Sequence, residues 1–183
     1  VERHKRVDSR NAAGLRLEGC RVGAEALLGE AGQGLAVLEA VADLGTAGLC
    51  AEMLGSMTEA FERTLDYLKN RIQFGVPIGS FQALKHRAAT CFVEIELCRS
   101  AVMAAVRALD EGLEEAPKLV SLAKARCSDT AILVANEAVQ MHGGIGMTDE
   151  FDIGFFLKRA RVAELTLGDA SWHRARWARL AGY

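Results

Sequence analysis

Two short segments of the chain combine residue types that bind anionic ligands. The first begins at Arg71 and ends at Gln82, and the second contains the paired glycines Gly143 and Gly144. A planar arginine cation suits a phosphate oxygen, and glycines without Cβ atoms let backbone N–H groups approach a phosphate or a ribose. Taken singly, an arginine can also face a helix dipole, and a glycine pair can simply end a helix. The two segments taken together favour a binding site.

Other catalytic chemistries have little support in this sequence. The four histidines lie far apart and lack metal-ligand spacing, at His4, His86, His142 and His173. A di-iron site in a helical bundle needs Glu-x-x-His pairs, and the nucleophile elbow of a serine hydrolase needs Gly-x-Ser-x-Gly. The sequence contains neither pattern. We therefore predict no metal site and no Ser-His-Asp catalysis.

The composition indicates an ordinary folded chain. It has 183 residues, 50% of them hydrophobic, with 22 basic and 24 acidic side chains and no dense run of Lys and Arg. We expect no nucleic-acid partner. No signal peptide and no run of the ~20 apolar residues of a membrane span are evident, and the five cysteines form no CxxC pair. These features predict a soluble protein of a reducing compartment, the cytoplasm, without a membrane partner; a first residue other than Met indicates a fragment.

Four long segments have the spacing and composition of helices. The clearest apolar stripe runs over 81–109, with Ser80 as its expected N-cap and Gly112 and Pro117 after its end. Three further helices are predicted over 34–70, 118–142 and 149–180, the last with a break near residues 168 and 169. The first of these contains three interior glycines, which indicate close backbone approach, a bend or a misplaced boundary: Gly45, Gly48 and Gly55.

The first thirty residues differ from the rest. Apolar and polar side chains alternate over 14–22, which predicts a β-strand. One strand cannot form a sheet alone, so we interpret 1–30 as the tail of a preceding β domain and 31–183 as a helical domain. The predicted fold class is all-α, an up-down four-helix bundle with a short N-terminal β remnant.

The offsets between the ligand-binding segments resemble those of the acyl-CoA dehydrogenase family. Arg71 precedes Phe74 by three residues and Gln82 by eleven. A Gln-x-x-Gly-Gly element follows from Gln140, and Gly168 opens a Gly-Asp-Ala sequence where the family returns to its flavin. The resemblance covers the family's C-terminal helical domain and the end of its middle β domain, about half of a typical member.

The resemblance implies an FAD cofactor and an acyl-CoA substrate. It assigns FAD contacts to eight positions, namely Arg71, Phe74, Gln82, Gln140, Gly143, Gly144, Gly168 and Asp169. In the family, the Gln-x-x-Gly-Gly element reaches the FAD of a neighbouring subunit, which implies a dimer of dimers. An electron-transferring flavoprotein is the family's usual acceptor. We expect the arginine and the glycine pair to converge, across two protomers, on one dinucleotide.

The catalytic carboxylate that the family uses is missing from its two usual positions. That base, a Glu, removes a proton from the acyl α-carbon while hydride leaves the β-carbon for the flavin. Its commonest position holds Leu167, and its alternative position, on the first long helix, holds Gly45. Thr46 stands where many members carry an Arg that helps to hold acyl-CoA. Asp169 and Glu164 are displaced candidates, although an Asp at this place is also a natural N-cap.

Three hypotheses follow from this departure. The favoured one is the base-deficient subunit of a heteromeric, FAD-dependent acyl-CoA dehydrogenase-like enzyme whose partner supplies the Glu. The second is an active homomer, a dimer or tetramer, that uses a displaced base such as Asp169 on an atypical acyl-CoA, for example a branched or steroid-derived thioester. The third is a non-enzymatic helical assembly domain that has lost flavin binding. The presence of Arg71, Gln82, Gly143 and Gly144 argues against the third hypothesis.

Overall fold

A central helix contacts all the other helices of the bundle. The computed structural model describes residues 1–183. Its five α-helices are α1 (Gly34–Asn70), α2 (Gln82–Asp110), α3 (Ala116–His142), α4 (Ile153–Leu165) and α5 (Ala170–Leu180). α4 and α5 are the two parts of the fourth predicted segment, which breaks where the sequence indicated. The predicted helical fold class is confirmed, and α3 packs against each of the other four helices.

Small side chains allow α3 to lie at the centre. Ala123, Cys127 and Ala131 of α3 are almost fully buried within the main apolar cluster. Because these side chains are short, the neighbouring helices approach α3 closely and pack without large voids. Arg87, near the start of α2, pairs with Glu137, near the end of α3, at 3.0 Å, so the two helices run antiparallel.

The helix boundaries agree with the sequence analysis except that α3 begins two residues earlier, and α4 four residues later, than predicted. α1 has the predicted bounds and continues through its glycines, of which Gly48 and Gly55 face open space. Ser80 is not the N-cap that the sequence predicted, because Phe81 occupies that position. The Ser80 hydroxyl donates instead to the Pro77 carbonyl at 2.7 Å, within the 3₁₀ turn Ile78–Ser80.

The N-terminal strand lies earlier in the chain than the alternation predicted. β1 (Glu2–Lys5) and β2 (Asn11–Gly14) form an antiparallel hairpin, in which Glu2 pairs with Gly14. The prediction of a strand over 14–22 is wrong, because 15–22 are exposed and lie beside no further strand that could pair with them. A second hairpin, β3 (Ile72–Gln73) and β4 (Val76–Pro77), joins α1 to α2. The division at residue 30 stays a prediction.

The first half of α1 is apolar and largely uncovered. α1 contains an 18-residue window with the length and hydropathy of a membrane span, and 28% of that window is buried. The expectation that no segment has this composition is therefore wrong for α1. Core helices of soluble proteins meet the same criterion, and α1 packs on α2, α3 and α4. The uncovered side chains lie near its start and are Leu35, Leu38, Val41 and Leu44.

The stripe on α2 gives a direct test of the packing. Ile95 is 2% exposed in the core, whereas Leu97 on the same helix is 48% exposed. We expect Ile95→Ala to lower the free energy of unfolding by about 2–4 kcal/mol, because it leaves a cavity. Leu97→Ala should lower it by less than about 1 kcal/mol. Urea denaturation of both variants measures the difference, and equal losses would contradict the assigned faces.

Candidate functional site

The segments that contain Arg71 and the glycine pair lie at the same end of the bundle. The Tyr67 ring, one turn before Arg71, stacks on the His142 ring at 4.4 Å between centroids, and His142 directly precedes Gly143. Phe151 contacts both rings, at 5.8 Å from Tyr67 and 5.4 Å from His142. Packing within one chain therefore brings the two predicted ligand-binding segments to the same end of the bundle.

The polar side chains at this end are free to bind a ligand. Arg71 is exposed, and its guanidinium is in none of the ion pairs or hydrogen bonds of the chain. Its backbone N–H donates to the Tyr67 carbonyl at 2.8 Å and its carbonyl accepts from Ile78, which fixes the residue at the end of α1. Gln82 and Gln140 are likewise exposed, without side-chain partners in the chain. An unpaired cation beside two free amides suits a phosphate and a nucleoside.

The turn between β3 and β4 exposes an aromatic ring. Phe74 has φ 55° and Gly75 has φ 80°, so both residues adopt the left-handed conformation that a tight hairpin requires. That conformation is unfavourable for a residue with a Cβ atom. The Phe74 ring is 90% exposed, and its one aromatic neighbour is Phe81, edge-on at 6.2 Å. A strained turn that exposes a large ring is typical of a contact with a ligand or another subunit.

The glycine pair leaves space for a close approach. Gly143 has φ 67°, and a Cβ atom at Gly143 or Gly144 would meet nothing within 4 Å. The Gly143 N–H caps α3 by donating to the Gln140 carbonyl. The space beside the pair, the free guanidinium of Arg71 and the exposed Phe74 ring fit the phosphate and adenosine half of an FAD molecule.

The two positions that could hold the family's base meet at a second place in the fold. A Cβ atom built on Gly45 of α1 would lie 3.4 Å from Leu167 Cδ1, in the segment between α4 and α5. The structure therefore brings the two predicted positions into contact, and both side chains are apolar or absent. Thr46, next to Gly45, is buried and contains no charge that could hold an anion.

The displaced carboxylates are already engaged in other interactions. Asp169 is the N-cap of α5, and its Oδ1 accepts a hydrogen bond from the Trp172 N–H at 2.8 Å. The N-cap interpretation of Asp169 is thereby confirmed. Glu164 pairs with Arg161 at 2.7 Å on α4. The role of either carboxylate as a displaced base stays a prediction.

An ion pair near Leu167 was not found by sequence reasoning. Arg176 of α5 donates to both carboxylate oxygens of Asp43 on α1, at 2.6 and 2.9 Å, and also to Ser121 Oγ at 3.1 Å. The Arg176 guanidinium lies 5.9 Å from the Trp172 ring. Asp43 lies on the same cleft as Leu167, but both of its oxygens are occupied by the guanidinium. The pair holds α5 against α1 and so forms one wall of the cleft.

The comparisons with known proteins show the family of the chain. The family model described as acyl-CoA dehydrogenase, C-terminal domain, matches residues 32–181. A relative from Mycolicibacterium smegmatis, named acyl-CoA dehydrogenase IpdE2, is 39% identical over 132 residues, which are 71% of this chain and 40% of that protein. The chain therefore spans less than half of that relative.

Solved structures have the same fold. A chain in a structure described as the electron transferring flavoprotein of Acidaminococcus fermentans superposes with a TM-score of 0.95 at 29% identity, over 100% of this chain and 48% of that one. A structure named Tcur3481-Tcur3483 steroid ACAD superposes with a TM-score of 0.86 at 30% identity, over 98% of this chain and 47% of that one. The fold is that of the C-terminal helical domain of a class of flavoenzymes. The chain belongs to the acyl-CoA dehydrogenase family, a family of oxidoreductases.

The buried imidazole of His173 makes the stability of the chain depend on pH. Burial lowers the pKa of His173, and the contact of its Nε2 with the Leu167 carbonyl at 3.0 Å only partly opposes this effect. As pH falls below the ordinary value of about 6.5, the unfolded chain takes up a proton that the folded chain does not, so stability is lost. We expect a loss of up to about 1.4 kcal/mol per pH unit between about pH 6.5 and the lowered pKa.

The variant His173→Gln should remove this contribution. Urea midpoints between about pH 7 and pH 5.5 should decline less steeply in His173→Gln than in the unaltered protein. His86→Gln, on the exposed side of α2, is the matched control and should keep the original slope. Identical slopes for all three proteins would show that His173 does not titrate differently in the folded chain.

Proposed function

We propose that the full-length protein is an FAD-dependent, acyl-CoA dehydrogenase-like oxidoreductase and that this chain is its base-deficient C-terminal part. The observation that carries the proposal is that the two usual base positions meet in the fold and are occupied by Leu167 and Gly45, so neither position contains a carboxylate. The retained Arg71 and Gly143 support continued cofactor binding. A partner subunit, related in sequence, supplies the Glu in this proposal, and the assembly oxidises an acyl-CoA thioester at its α,β-carbons.

The chain's own residues have binding and positioning roles in this proposal. Arg71 binds a pyrophosphate oxygen of FAD, Gln82 and Gln140 bind its adenosine half, and the backbone at Gly143 and Gly144 approaches its phosphates or ribose. FAD, when bound, accepts the hydride from the acyl β-carbon. The cleft beside Leu167, with Trp172 in its wall, surrounds apolar acyl groups and excludes water from the reacting carbons.

The distance between the two parts of the site supports an oligomer. Gly45 lies in α1 and Arg71 directly follows its last residue, so the two are separated by about 40 Å along the helix axis at ~1.5 Å per residue. This distance exceeds the length of an extended FAD molecule. One chain therefore contributes to two different flavin sites in the proposed assembly, with the Arg71 end at one and the Gly168 and Asp169 segment at the other.

The name of one structural neighbour supports a type of partner and a class of substrate. The name of one structural neighbour, Tcur3481-Tcur3483 steroid ACAD, joins two components and a steroid substrate class. This supports a heteromer over a homotetramer and a bulky acyl group over a straight chain. We assign the protein to the cytoplasm and to lipid degradation of the β-oxidation type, with an electron-transferring flavoprotein as acceptor. The proposal includes no nucleic-acid or membrane partner.

Replacement of Arg71 tests cofactor binding. In the full-length protein, Arg71→Gln should weaken FAD binding by about 10- to 100-fold, because a charge-assisted hydrogen bond contributes about 1.5–3 kcal/mol. Flavin content, measured from the visible absorbance after dialysis, reports the loss. Arg107→Gln, which removes an exposed arginine in the last turn of α2, should retain the cofactor. A colourless unaltered protein would support the assembly-only hypothesis.

Replacement of Leu167 tests the missing base. The unaltered full-length protein should not oxidise acyl-CoA without its partner, whereas Leu167→Glu should gain activity with an artificial electron acceptor. Leu165→Glu, at an exposed position two residues earlier, is the control and should gain none. If the unaltered protein is active alone and Asp169→Asn abolishes this activity, the hypothesis of a base-supplying partner is contradicted and the enzyme is a homomer. Asn preserves the N-cap of α5, so the loss of activity would report the loss of the carboxylate.

A further inference from the structure

Lys124 is a buried lysine without a carboxylate partner. It lies on the face of α3 toward α4 and α5, and its side chain is fully buried. Its Nζ donates to the carbonyls of Glu164 and Gly168, each at 2.8 Å, and to Ser128 Oγ at 3.0 Å. These three oxygens match the three N–H bonds of an ammonium group. A buried charge is costly unless its hydrogen bonds are satisfied, so this arrangement requires a reason.

The oxygens that Lys124 binds belong to the connection between α4 and α5. Glu164 lies in the last turn of α4, where carbonyl groups lack helical partners and attract a cation. Within the connection, Leu167 has φ 61° and Gly168 has φ 100°. The left-handed conformation is unfavourable for Leu167 because this residue has a Cβ atom. It persists only where surrounding contacts hold it.

A second buried side chain binds the same connection from α5. The Leu167 carbonyl lies 3.0 Å from His173 Nε2, so this nitrogen is the one that carries the proton. The other ring nitrogen, Nδ1, is buried and has no partner. The contact with Leu167 is therefore the hydrogen bond that orients the His173 ring. Three carbonyls, those of residues 164, 167 and 168, are thus bound by side chains from α3 and α5.

We propose that Lys124 and His173 form a carbonyl clamp that holds Leu167 in its left-handed conformation and directs the side chain at position 167 toward Gly45. Lys124 is a positioning residue, because it acts on the main chain and touches no reacting atom. The proposal rests on the proposed function only in naming position 167 as the place of the family's base. The clamp itself is a property of this chain.

The clamp preserves the shape of the base position whatever side chain stands there. It binds main-chain oxygens, so replacement of a carboxylate by Leu167 leaves its hydrogen bonds unchanged. Its ammonium group also places a positive charge beside position 167, which favours an anionic side chain there. Burial lowers the pKa of Lys124, and the nearby carboxylates of Glu164 and Asp169 act in the opposite direction. The charged or titratable groups that act on Lys124 or His173 are Asp43, Cys50, Cys127, Glu164, Asp169 and Arg176. Within the connection itself, Arg6 donates to the Thr166 hydroxyl at 3.2 Å.

The test introduces a thiol at position 167 as a reporter of the nearby charge. Leu167→Cys is prepared in the full-length protein, alone and combined with Lys124→Met, which has similar length and no charge. Alkylation by iodoacetamide is followed against pH by mass spectrometry of the tryptic peptide 162–174, so other cysteines do not interfere. The control combines Leu167→Cys with Lys158→Met, which removes an exposed lysine of α4. The assay requires neither FAD nor acyl-CoA, so its outcome is independent of the proposed function.

The proposal predicts a shift in the titration of the introduced thiol. Loss of the Lys124 charge should raise the apparent pKa of the thiol by about half a pH unit or more, and Lys158→Met should leave it unchanged. Equal pKa values for the thiol in the presence and absence of Lys124 would overturn the proposal.

A second variant tests the carbonyl clamp if Lys124→Met does not fold. Leu167→Gly removes the Cβ atom, so the left-handed conformation no longer needs to be held. Combined with Lys124→Met, it should restore a cooperative unfolding transition. The control is Leu165→Gly in the same background; this residue is the last of α4 and has helical conformation, so a glycine there relieves no left-handed residue and should not restore the transition. Failure of Leu167→Gly to restore folding would overturn the proposal.

Discussion

Close packing against α3 is the constraint on which the rest of the structure depends. Ala123, Cys127 and Ala131 bring the neighbouring helices near the α3 backbone, and the longer Lys124 reaches from the same helix to the connection between α4 and α5. A larger residue at any of the three small positions would push a neighbouring helix outward and displace whatever that helix contributes to a site. Apolar packing and polar positioning therefore originate from one helix.

The two parts of the site lie at distant points of the same scaffold. At one end, stacking of Tyr67 on His142 places Arg71 near the glycine pair, while the guanidinium and the amides remain free. Near the start of α1, Asp43 and Arg176 hold α5 against the cleft that contains Leu167. The polar groups of the first part have no partners in the chain, whereas those of the second part are paired with each other in hydrogen bonds. This difference is consistent with a ligand-binding end and a preformed cleft.

Features with a local signature could be predicted from the sequence. The helices follow from regular apolar spacing, and the break at Gly168 and Asp169 follows from a glycine beside a capping residue. The strand predicted over 14–22 was wrong because alternation shows which side chains share a face, but not whether a partner strand is present. Ser80 was assigned as a cap from its residue type, although its hydroxyl binds within its own turn.

Contacts between distant residues could not be predicted in the same way. Lysine is rarely buried, and the oxygens that Lys124 binds are main-chain atoms, which have no signature in the sequence. The pair of Asp43 with Arg176 joins residues on α1 and α5 that only the tertiary fold brings together. The contact of Gly45 with Leu167 was implied by a resemblance, but its distance became evident only from the fold.

The uncovered start of α1 has a consequence for how this part of the chain folds. Leu35, Leu38, Val41 and Leu44 meet little of the bundle, so the first turns of α1 receive scant tertiary support, and such turns unwind readily in water. Contact with another surface, whether from the same polypeptide or from a neighbour, would therefore stabilise these turns. Hydrogen exchange in these turns would thus be fast in the separated domain and slow after association.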